Sequence, residues 1–259
     1  MKCSEVIEIL RRQAPEEAAL DWDNPGLIAG RMDKEVRVIY IALDATDEVV
    51  VDAVSAGADM LITHHPLIFG SIRKINSEDF IGRRLIDLIS HDVSYYAMHT
   101  NFDVCGMAQY SAEILGLRES SILEETYEQD GRPEGIGRIG SLEETMSLEE
   151  LAGLVKERFE IPSVKVFGPL NSPISRVAIS PGSGKSMIGH ALSGDVDCII
   201  TGDIDHHTGI DAVASGLTVI DAGHYGIEKI FIPFMERYIK ENTDLEVITD
   251  RPREPFTVI

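Results

Sequence analysis

Two adjacent histidines that follow a short apolar run are the first candidates for metal ligands. Residues 59–62 predict a buried strand, and His64 and His65 come just after it. Pro66 marks where this strand stops, because proline cannot continue a central ladder of a sheet. Consecutive strand residues point to opposite faces. Both rings therefore reach one site only if the backbone turns there, or if the site is broad enough to hold two ions.

Three further candidate ligands lie later in the chain. Asp103 follows the third predicted strand, whereas His224 and Glu228 are four residues apart at the start of a predicted helix and share one face of it. Three imidazoles and two carboxylates exceed the three protein ligands that a catalytic zinc ion usually takes. The set is typical of a dinuclear centre, in which we expect Glu228 to bridge two divalent ions. Such a pair can activate a bridging water and polarise a substrate oxygen or ring carbon.

These residues also have ordinary structural interpretations. Adjacent histidines can be loop residues with local hydrogen bonds, and His224 with Glu228 can be a surface pair on a helix. The occurrence of five such residues at predicted strand ends and helix starts favours the metal site. Mixed imidazole and carboxylate ligands suit Zn, Fe, Mn, Ni or Co, so the identity of the metal stays open.

Other polar residues at predicted strand ends have less distinct roles. His206 and His207 are candidate catalytic residues, as a general acid and base or as a substrate-binding pair, but ordinary loop histidines explain them equally well. We expect His99 to orient a metal ligand through a hydrogen bond, or simply to cap a strand. We expect Asp44 and Thr46, which also follow a predicted strand, to cap a helix, although they could instead line the cleft.

A glycine-rich loop at residues 181–186 ends like a phosphate-binding P-loop. That motif requires a glycine where Ile179 stands, so the motif fails. A plain turn from a strand into a helix is the favoured interpretation, and no cofactor-binding residues are predicted.

Strand and helix patterns alternate along the chain. Three strand–helix pairs up to about residue 116 imply a mostly parallel sheet covered by helices, with functional groups beyond the carboxyl ends of its strands. Residues 119–145 mix glutamates with glycines and are a candidate boundary or crossover. A second α/β unit follows. The predicted fold class is therefore α/β.

Composition excludes several classes of partner. The chain has 259 residues with a formal net charge of −21, which argues against non-specific binding to nucleic acid and against docking on anionic lipid. Its three cysteines form no C-x-x-C pair, as is typical of a reducing cytoplasm. We see no apolar segment that resembles a signal peptide or a membrane span, and we expect a soluble cytoplasmic protein with no membrane partner.

Five motifs in order resemble those of the Nif-three-like family, whose members are commonly named GTP cyclohydrolase I type 2 homologs. They cover nearly the whole chain. The motifs are Trp22-Asp23-Asn24-Pro25-Gly26-Leu27, Thr63-His64-His65-Pro66, His99-Thr100-Asn101-Phe102-Asp103, Thr201-Gly202-Asp203 with His207, and Gly223-His224-Tyr225-Gly226-Ile227-Glu228. One departure is Pro25, where the family more often has an apolar residue such as valine.

The resemblance implies two α/β domains with mostly parallel sheets, the first at 1–125 plus 218–259 and the second at 126–217. It implies a dinuclear metal centre in the inter-domain cleft, with two divalent ions per chain, and a homohexamer built as a trimer of dimers. The metal-binding positions of the family fall on the residues already named: His64, His65, Asp103, His224 and Glu228.

The function implied by the resemblance is metal-dependent hydrolysis of a nucleotide or a related small molecule, as in GTP ring opening. In that reaction His206 or His207 would transfer protons. The alternative is a non-enzymatic metal-binding ring that handles metal or acts as a scaffold for partners. The sequence contains no distinct nucleotide-recognition signature that decides between them.

Overall fold

The structure is a computed structural model, and it describes residues 1–257. The chain divides into two compact units. The first comprises Met1–Phe102 and Phe231–Arg253, and the second comprises Asp103–Ile230 with the described residues 254–257. Among the described residues, no helix combines the length and the apolar character needed to cross a bilayer.

Helices and strands alternate through both units. Within residues 1–257 the helices are α1 (Cys3–Gln13), α2 (Asp47–Ser55), α3 (Phe80–Ser90), α4 (Thr100–Phe102), α5 (Ala108–Leu115), α6 (Leu148–Arg158), α7 (Ile188–Ser193), α8 (His206–Ala214), α9 (His224–Glu228) and α10 (Phe231–Asn242). The strands are β1 (Gly26–Ala29), β2 (Val38–Ala42), β3 (Met60–Thr63), β4 (Ser94–Ala97), β5 (Arg118–Gln129), β6 (Arg132–Ser147), β7 (Lys165–Phe167), β8 (Pro173–Ser183), β9 (Cys198–Gly202), β10 (Thr218–Asp221) and β11 (Glu246–Thr249).

The sheet of the first unit has the order β1-β4-β3-β2-β11. Its strands β2, β3, β4 and β11 are parallel, and only β1 runs antiparallel to its neighbour. Thr63 at the end of β3 pairs in register with Ala42 of β2 and Ala97 of β4. The carboxyl ends of three strands therefore lie level, and the residues after them leave the sheet at one edge.

The core of the first unit forms because parallel strands covered by helices bury both of their faces. All four residues of β3 and of β4 are buried. Leu61 and Tyr95 belong to an apolar cluster with Val50 of α2 and with Leu85 and Leu88 of α3. This packing holds rigid the strand ends that carry the candidate histidines.

The sheet of the second unit has the order β5-β6-β8-β9-β10-β7. Only β8, β9 and β10 are parallel, whereas the pairs β5/β6, β6/β8 and β7/β10 are antiparallel. The prediction of a mostly parallel sheet is correct for the first unit and wrong for the second. The α/β class, with two sheets and helices, is confirmed.

The antiparallel part arises from residues that the sequence analysis treated as a boundary or crossover. Residues 119–145 instead form most of the hairpin β5–β6, and Gln129 pairs directly with Arg132. Asp130 and Gly131 connect the strands with φ angles of 52° and 76°, as a two-residue hairpin turn requires. The prediction was wrong because the acidic composition concealed this Asp-Gly turn signal.

The bounds of the compact units differ from the predicted domains 1–125 plus 218–259 and 126–217. Helix α5 packs on β6 and β8, so residues 103–125 group with the second sheet. Strand β10 pairs with β9, which places residues 218–221 in the same unit. Packing partners far along the chain thus decide where each unit begins and ends.

Candidate metal centre

Three histidines of the first unit form one group at the carboxyl edge of its sheet. His64 and His65 follow β3, and His99 follows β4. Each offers a ring nitrogen, and these nitrogens lie within 4.8 Å of one another, as a shared metal ion requires. His64 is fully buried, whereas His65 and His99 are half-buried.

The backbone that carries His64 and His65 is fixed by hydrogen bonds to the main chain of His65. The carbonyl oxygen of His65 accepts from the Thr63 hydroxyl at 2.7 Å and from the Tyr95 hydroxyl at 3.0 Å. Its amide donates to the Leu43 carbonyl at 3.0 Å. These bonds hold the chain where it leaves the strand, and the two rings lie with their centroids 4.9 Å apart.

Each of these rings is oriented through its Nδ1 atom. The Nδ1 of His64 lies 2.8 Å from the carbonyl oxygen of Met98, and that of His65 lies 2.8 Å from Oδ1 of Asp44. A carbonyl or carboxylate oxygen only accepts, so Nδ1 carries the proton in each ring. Nε2 is then the nitrogen whose lone pair can bind a metal, which is the usual arrangement for metal-binding histidines.

His99 is held in the same way by Asp23. The Nδ1 of His99 lies 2.8 Å from Oδ1 of Asp23, while Oδ2 accepts from the amide and the hydroxyl of Thr100 at 2.9 and 2.5 Å. Burial raises the pKa of Asp23, but the hydrogen bonds from His99 and Thr100 outweigh it and hold the pKa at about 2. Asp23 therefore stays ionised as the partner of His99 at neutral pH.

The second unit contributes one imidazole and two carboxylates. His224 and Glu228 are the ends of α9, and Nε2 of His224 lies 2.9 Å from Oε2 of Glu228. A carboxylate oxygen of Asp103 lies within 4.8 Å of one from Glu228. Asp103 begins a π-helical turn, Asp103–Met107, between α4 and α5. Such turns occur frequently at functional sites.

Asp203 orients the histidine of this group. Its Oδ2 atom lies 2.7 Å from Nδ1 of His224, so Nε2 is again the nitrogen that can bind a metal. The carboxylate reaches His224 from a backbone position with φ of 56°, which an aspartate tolerates better than most residues.

The donor chemistry of these residues fits divalent metal ions. The side chain of Glu228 is 3 % exposed, and its carboxylate lies close to that of half-buried Asp103. Like charges in a buried position cost free energy unless a cation or a proton compensates them. Imidazole nitrogens and carboxylate oxygens together are ligands that Zn, Fe, Mn, Ni and Co accept.

Each of the five predicted ligands lies in one of these groups, His64 and His65 in the first unit and the other three in the second. His206 and His207 are the exposed first residues of α8. Within residues 1–257, no group able to hold a metal ion includes either of them. Their catalytic role stays a prediction.

Part of the site is not predicted by the sequence. Of the two residues expected to cap a helix, Thr46 caps α2, because its Oγ1 accepts from the amide of Val49 at 3.2 Å, whereas Asp44 does not cap it. Asp44 instead holds His65. His99 was expected to orient a ligand or to cap a strand, whereas its position in the first group makes it a candidate ligand itself. The available signal was an acidic or imidazole side chain directly after a buried parallel strand.

Comparison with known proteins gives the family. The family model described as Duf34/NIF3 (NGG1p interacting factor 3) matches residues 1–255. The chain belongs to this family. The predicted resemblance to the Nif-three-like proteins is thereby confirmed.

Several members of the family are similar over almost their full length. A Streptococcus pneumoniae protein is 38% identical over 90% of this chain and 88% of its own. A Clostridium perfringens protein is 33% identical over the whole of both chains. Both are named GTP cyclohydrolase 1 type 2 homolog. The crystal structure of the Staphylococcus aureus hypothetical protein SA1388 is 30% identical and aligns with a TM-score of 0.89, covering 100% of this chain and 99% of that one.

Proposed function

We propose that this Duf34/NIF3 protein is a metal-dependent hydrolase that acts on a nucleotide or a related small molecule. Two divalent ions per chain are held in one dinuclear centre. The proposed ligands are those predicted from the sequence: His64, His65, Asp103, His224 and Glu228.

One observation carries the metal centre. Every histidine of the proposed set has its Nδ1 held by an oxygen acceptor, from Met98 for His64, Asp44 for His65 and Asp203 for His224. Three independent parts of the chain thus select Nε2 as the metal-binding nitrogen in three rings. The same nitrogen is therefore available to a metal ion in all three rings, as is usual at metal-binding histidines.

The connectivity of the chain supports one shared centre for the ligands of both units. The chain passes between the units at Phe102–Asp103 and at Ile230–Phe231. Asp103 is the first residue after one of these passages, and Glu228 is three residues before Phe231. Candidate ligands therefore stand at or beside both covalent connections.

When bound, two divalent ions supply Lewis acidity and allow water to act as a nucleophile near neutral pH. The residues of the chain provide the remaining functions. Asp44 and Asp203 hold the rings of His65 and His224, and Glu228 would be the carboxylate ligand shared by the two ions. His206 and His207 are proposed to transfer protons to and from the substrate. We also propose the homohexamer, a trimer of dimers, which light scattering coupled to size exclusion would measure.

The test combines metal content with turnover. Protein purified without added metal should contain about two ions per chain by mass spectrometry, since the proposed centre is dinuclear. A panel of nucleotides should be turned over, and chelation should remove both the ions and the turnover. Asp103→Ala and Glu228→Ala should lose metal and activity and keep the fold.

His91→Ala is the matched control. The Nδ1 of His91 also lies 2.8 Å from a carbonyl oxygen, that of Asp87, but His91 is exposed and belongs to no metal-holding group. This variant should keep both ions and full turnover. Two ions without turnover of any nucleotide would instead support the alternative, a non-enzymatic metal-binding ring. Turnover that survives complete removal of metal would contradict the hydrolase mechanism.

A further inference from the structure

Gly182, near the end of β8, lies directly against the carboxylate of Glu228. Its φ angle is +77°, and a Cβ atom at this position would lie 2.6 Å from Oε1 of Glu228. That separation is too short for a carbon and an oxygen that are not bonded. The backbone of Gly182 therefore forms the surface against which this carboxylate rests.

The backbone of Gly182 is itself fixed against β9. The hydroxyl of Thr201 donates to the carbonyl oxygen of Gly182 at 3.3 Å. A Cβ atom on Gly202 would lie 2.9 Å from this same oxygen and 2.8 Å from the amide nitrogen of His224. A Cβ atom on Gly184 would collide with Thr201. The loop consequently has no room to move toward β9 when a side chain is added at position 182.

We infer that Gly182 is a positioning residue for the metal-bridging carboxylate, an inference that rests on the proposed function. Oε2 of Glu228 lies 2.9 Å from Nε2 of His224, the nitrogen whose lone pair can bind a metal, and the backbone of Gly182 confines Oε1. The contact with Gly182 limits where Oε1 can lie and therefore how the carboxylate group is turned, and a bridging ligand must present both oxygens correctly. The glycine-rich loop at residues 181–186 thus supports a metal ligand.

The carboxylate, rather than the fold, should respond to a substitution at Gly182. Oε1 is the far end of a flexible side chain, whereas the backbone around Gly182 is held by Thr201 and by the close approach of Gly202. A methyl group at position 182 therefore displaces the carboxylate by rotation of its side chain. The bridge between the two ions is lost while the sheet remains.

Gly116 provides a matched control. Its φ angle of +78° is nearly that of Gly182, but a Cβ atom there would meet nothing within 4 Å. Gly182→Ala and Gly116→Ala therefore each place an alanine at a positive φ angle that favours glycine. Only the first places an atom against Glu228.

The experiment measures manganese binding to the metal-free protein by titration and by electron paramagnetic resonance. The wild type and Gly116→Ala should bind two Mn²⁺ ions and show the spectrum of a coupled pair. Gly182→Ala should bind one of the two ions at least about tenfold more weakly and show isolated Mn²⁺, since a displaced supporting contact costs metal ligands roughly this much. Gly182→Ala with the same two affinities and the same coupled spectrum as Gly116→Ala would overturn the inference.

A double-mutant cycle on metal-free protein separates this inference from the proposed function. Adding Glu228→Ala removes the carboxylate that a methyl group at position 182 would strike, so Gly182→Ala should lower the melting temperature more in the wild type than in Glu228→Ala. Gly116→Ala should lower the melting temperature by the same amount in the wild type and in Glu228→Ala. If Gly182→Ala lowers the melting temperature equally in the two backgrounds, or prevents folding in both, the inferred contact between position 182 and Glu228 is wrong. A wild type that binds no Mn²⁺ would reject the dinuclear centre, and with it the positioning role, even if the cycle shows coupling.

Discussion

Oδ2 of Asp203 lies 2.7 Å from Nδ1 of His224 and fixes the orientation of that ring. Asp203 follows β9, and His224 begins α9 three residues after β10 ends, so two neighbouring parallel strands position the two partners. The ring is thus oriented by the same sheet edge that positions it.

Asp203→Ala should weaken metal binding by about 10- to 100-fold, as loss of an orienting hydrogen bond does at other metal-binding histidines. Asp195→Ala is a suitable control, because Asp195 is also exposed and has a φ angle of 53°, against 56° for Asp203. Competition with a chromophoric chelator measures both variants. Equal affinities in the two would show that the hydrogen bond to His224 does not serve the metal.

Asp44 and Thr46 should have separate effects although they are only two residues apart. Asp44→Ala removes the partner of His65 and should reduce metal affinity with little change in the stability of the metal-free protein. Thr46→Ala removes the N-cap of α2 and should cost about 1 kcal/mol of unfolding free energy with unchanged metal affinity. Urea unfolding of the metal-free protein and metal titration together check this pair, and the opposite pattern would restore Asp44 as the helix cap.

Leu61 in β3 should be a principal contributor to the stability of the first unit. It is fully buried in the cluster with Val50 and Leu85, so Leu61→Ala should lower the free energy of unfolding by about 2–5 kcal/mol. Val51→Ala on the outer side of α2 should change the free energy of unfolding by no more than about 0.5 kcal/mol, because Val51 is 57% exposed. Denaturant unfolding monitored by circular dichroism measures both. A small loss for Leu61→Ala would mean that the sheet does not depend on this packing.

Asp197 should make the second unit sensitive to acid. Burial raises its pKa, but the amides of Arg176 and Ser175 and the Ser175 hydroxyl donate to its carboxylate and lower the pKa below the ordinary value. The unfolded chain therefore takes up the proton at a higher pH than the native chain does. The stabilisation is complete above the unfolded pKa of about 3.9 and is lost as the pH falls through the lower native value.

Melting temperatures measured from pH 7 to pH 3 test this dependence with Asp197→Asn. The variant should be less stable than the wild type at pH 7, and the difference should shrink as the pH falls below about 4. Ser175→Ala removes one of the donors and should show a smaller pH-dependent difference. A constant gap between wild type and Asp197→Asn at every pH would exclude the carboxylate charge as its cause.

The types of the ligands and their positions at strand ends can be predicted from the sequence. The reason is that functional side chains of parallel sheets lie beyond the carboxyl ends of the strands, at one edge of the sheet. His64 and His65 are found this way, since they follow a short apolar run. The partners of the rings are harder to find. Asp44 lies 21 residues before His65 and Asp203 lies 21 before His224, so each pairing depends on the packing of successive strands.

The antiparallel hairpin β5–β6 of the second sheet was not predicted, for a different reason. Residues along β5 are largely exposed on both faces, so the strand lacks the alternation of apolar and polar residues that reveals most hairpins. The turn at Asp130 and Gly131 was the one strong local signal. The extent of the compact units could not be predicted either, because it depends on where α5 packs.

His64 differs from His65 and His224 in the kind of atom that holds it. Its acceptor is the backbone carbonyl of Met98, whose amide is bonded in turn to the carbonyl of Thr63 at 2.9 Å. Every amino acid has that carbonyl, so no single exchange at position 98 deletes the acceptor. A single substitution at Asp44 or Asp203 removes the acceptor that orients His65 or His224. The orientation of His64 depends instead on the course of the backbone at Met98.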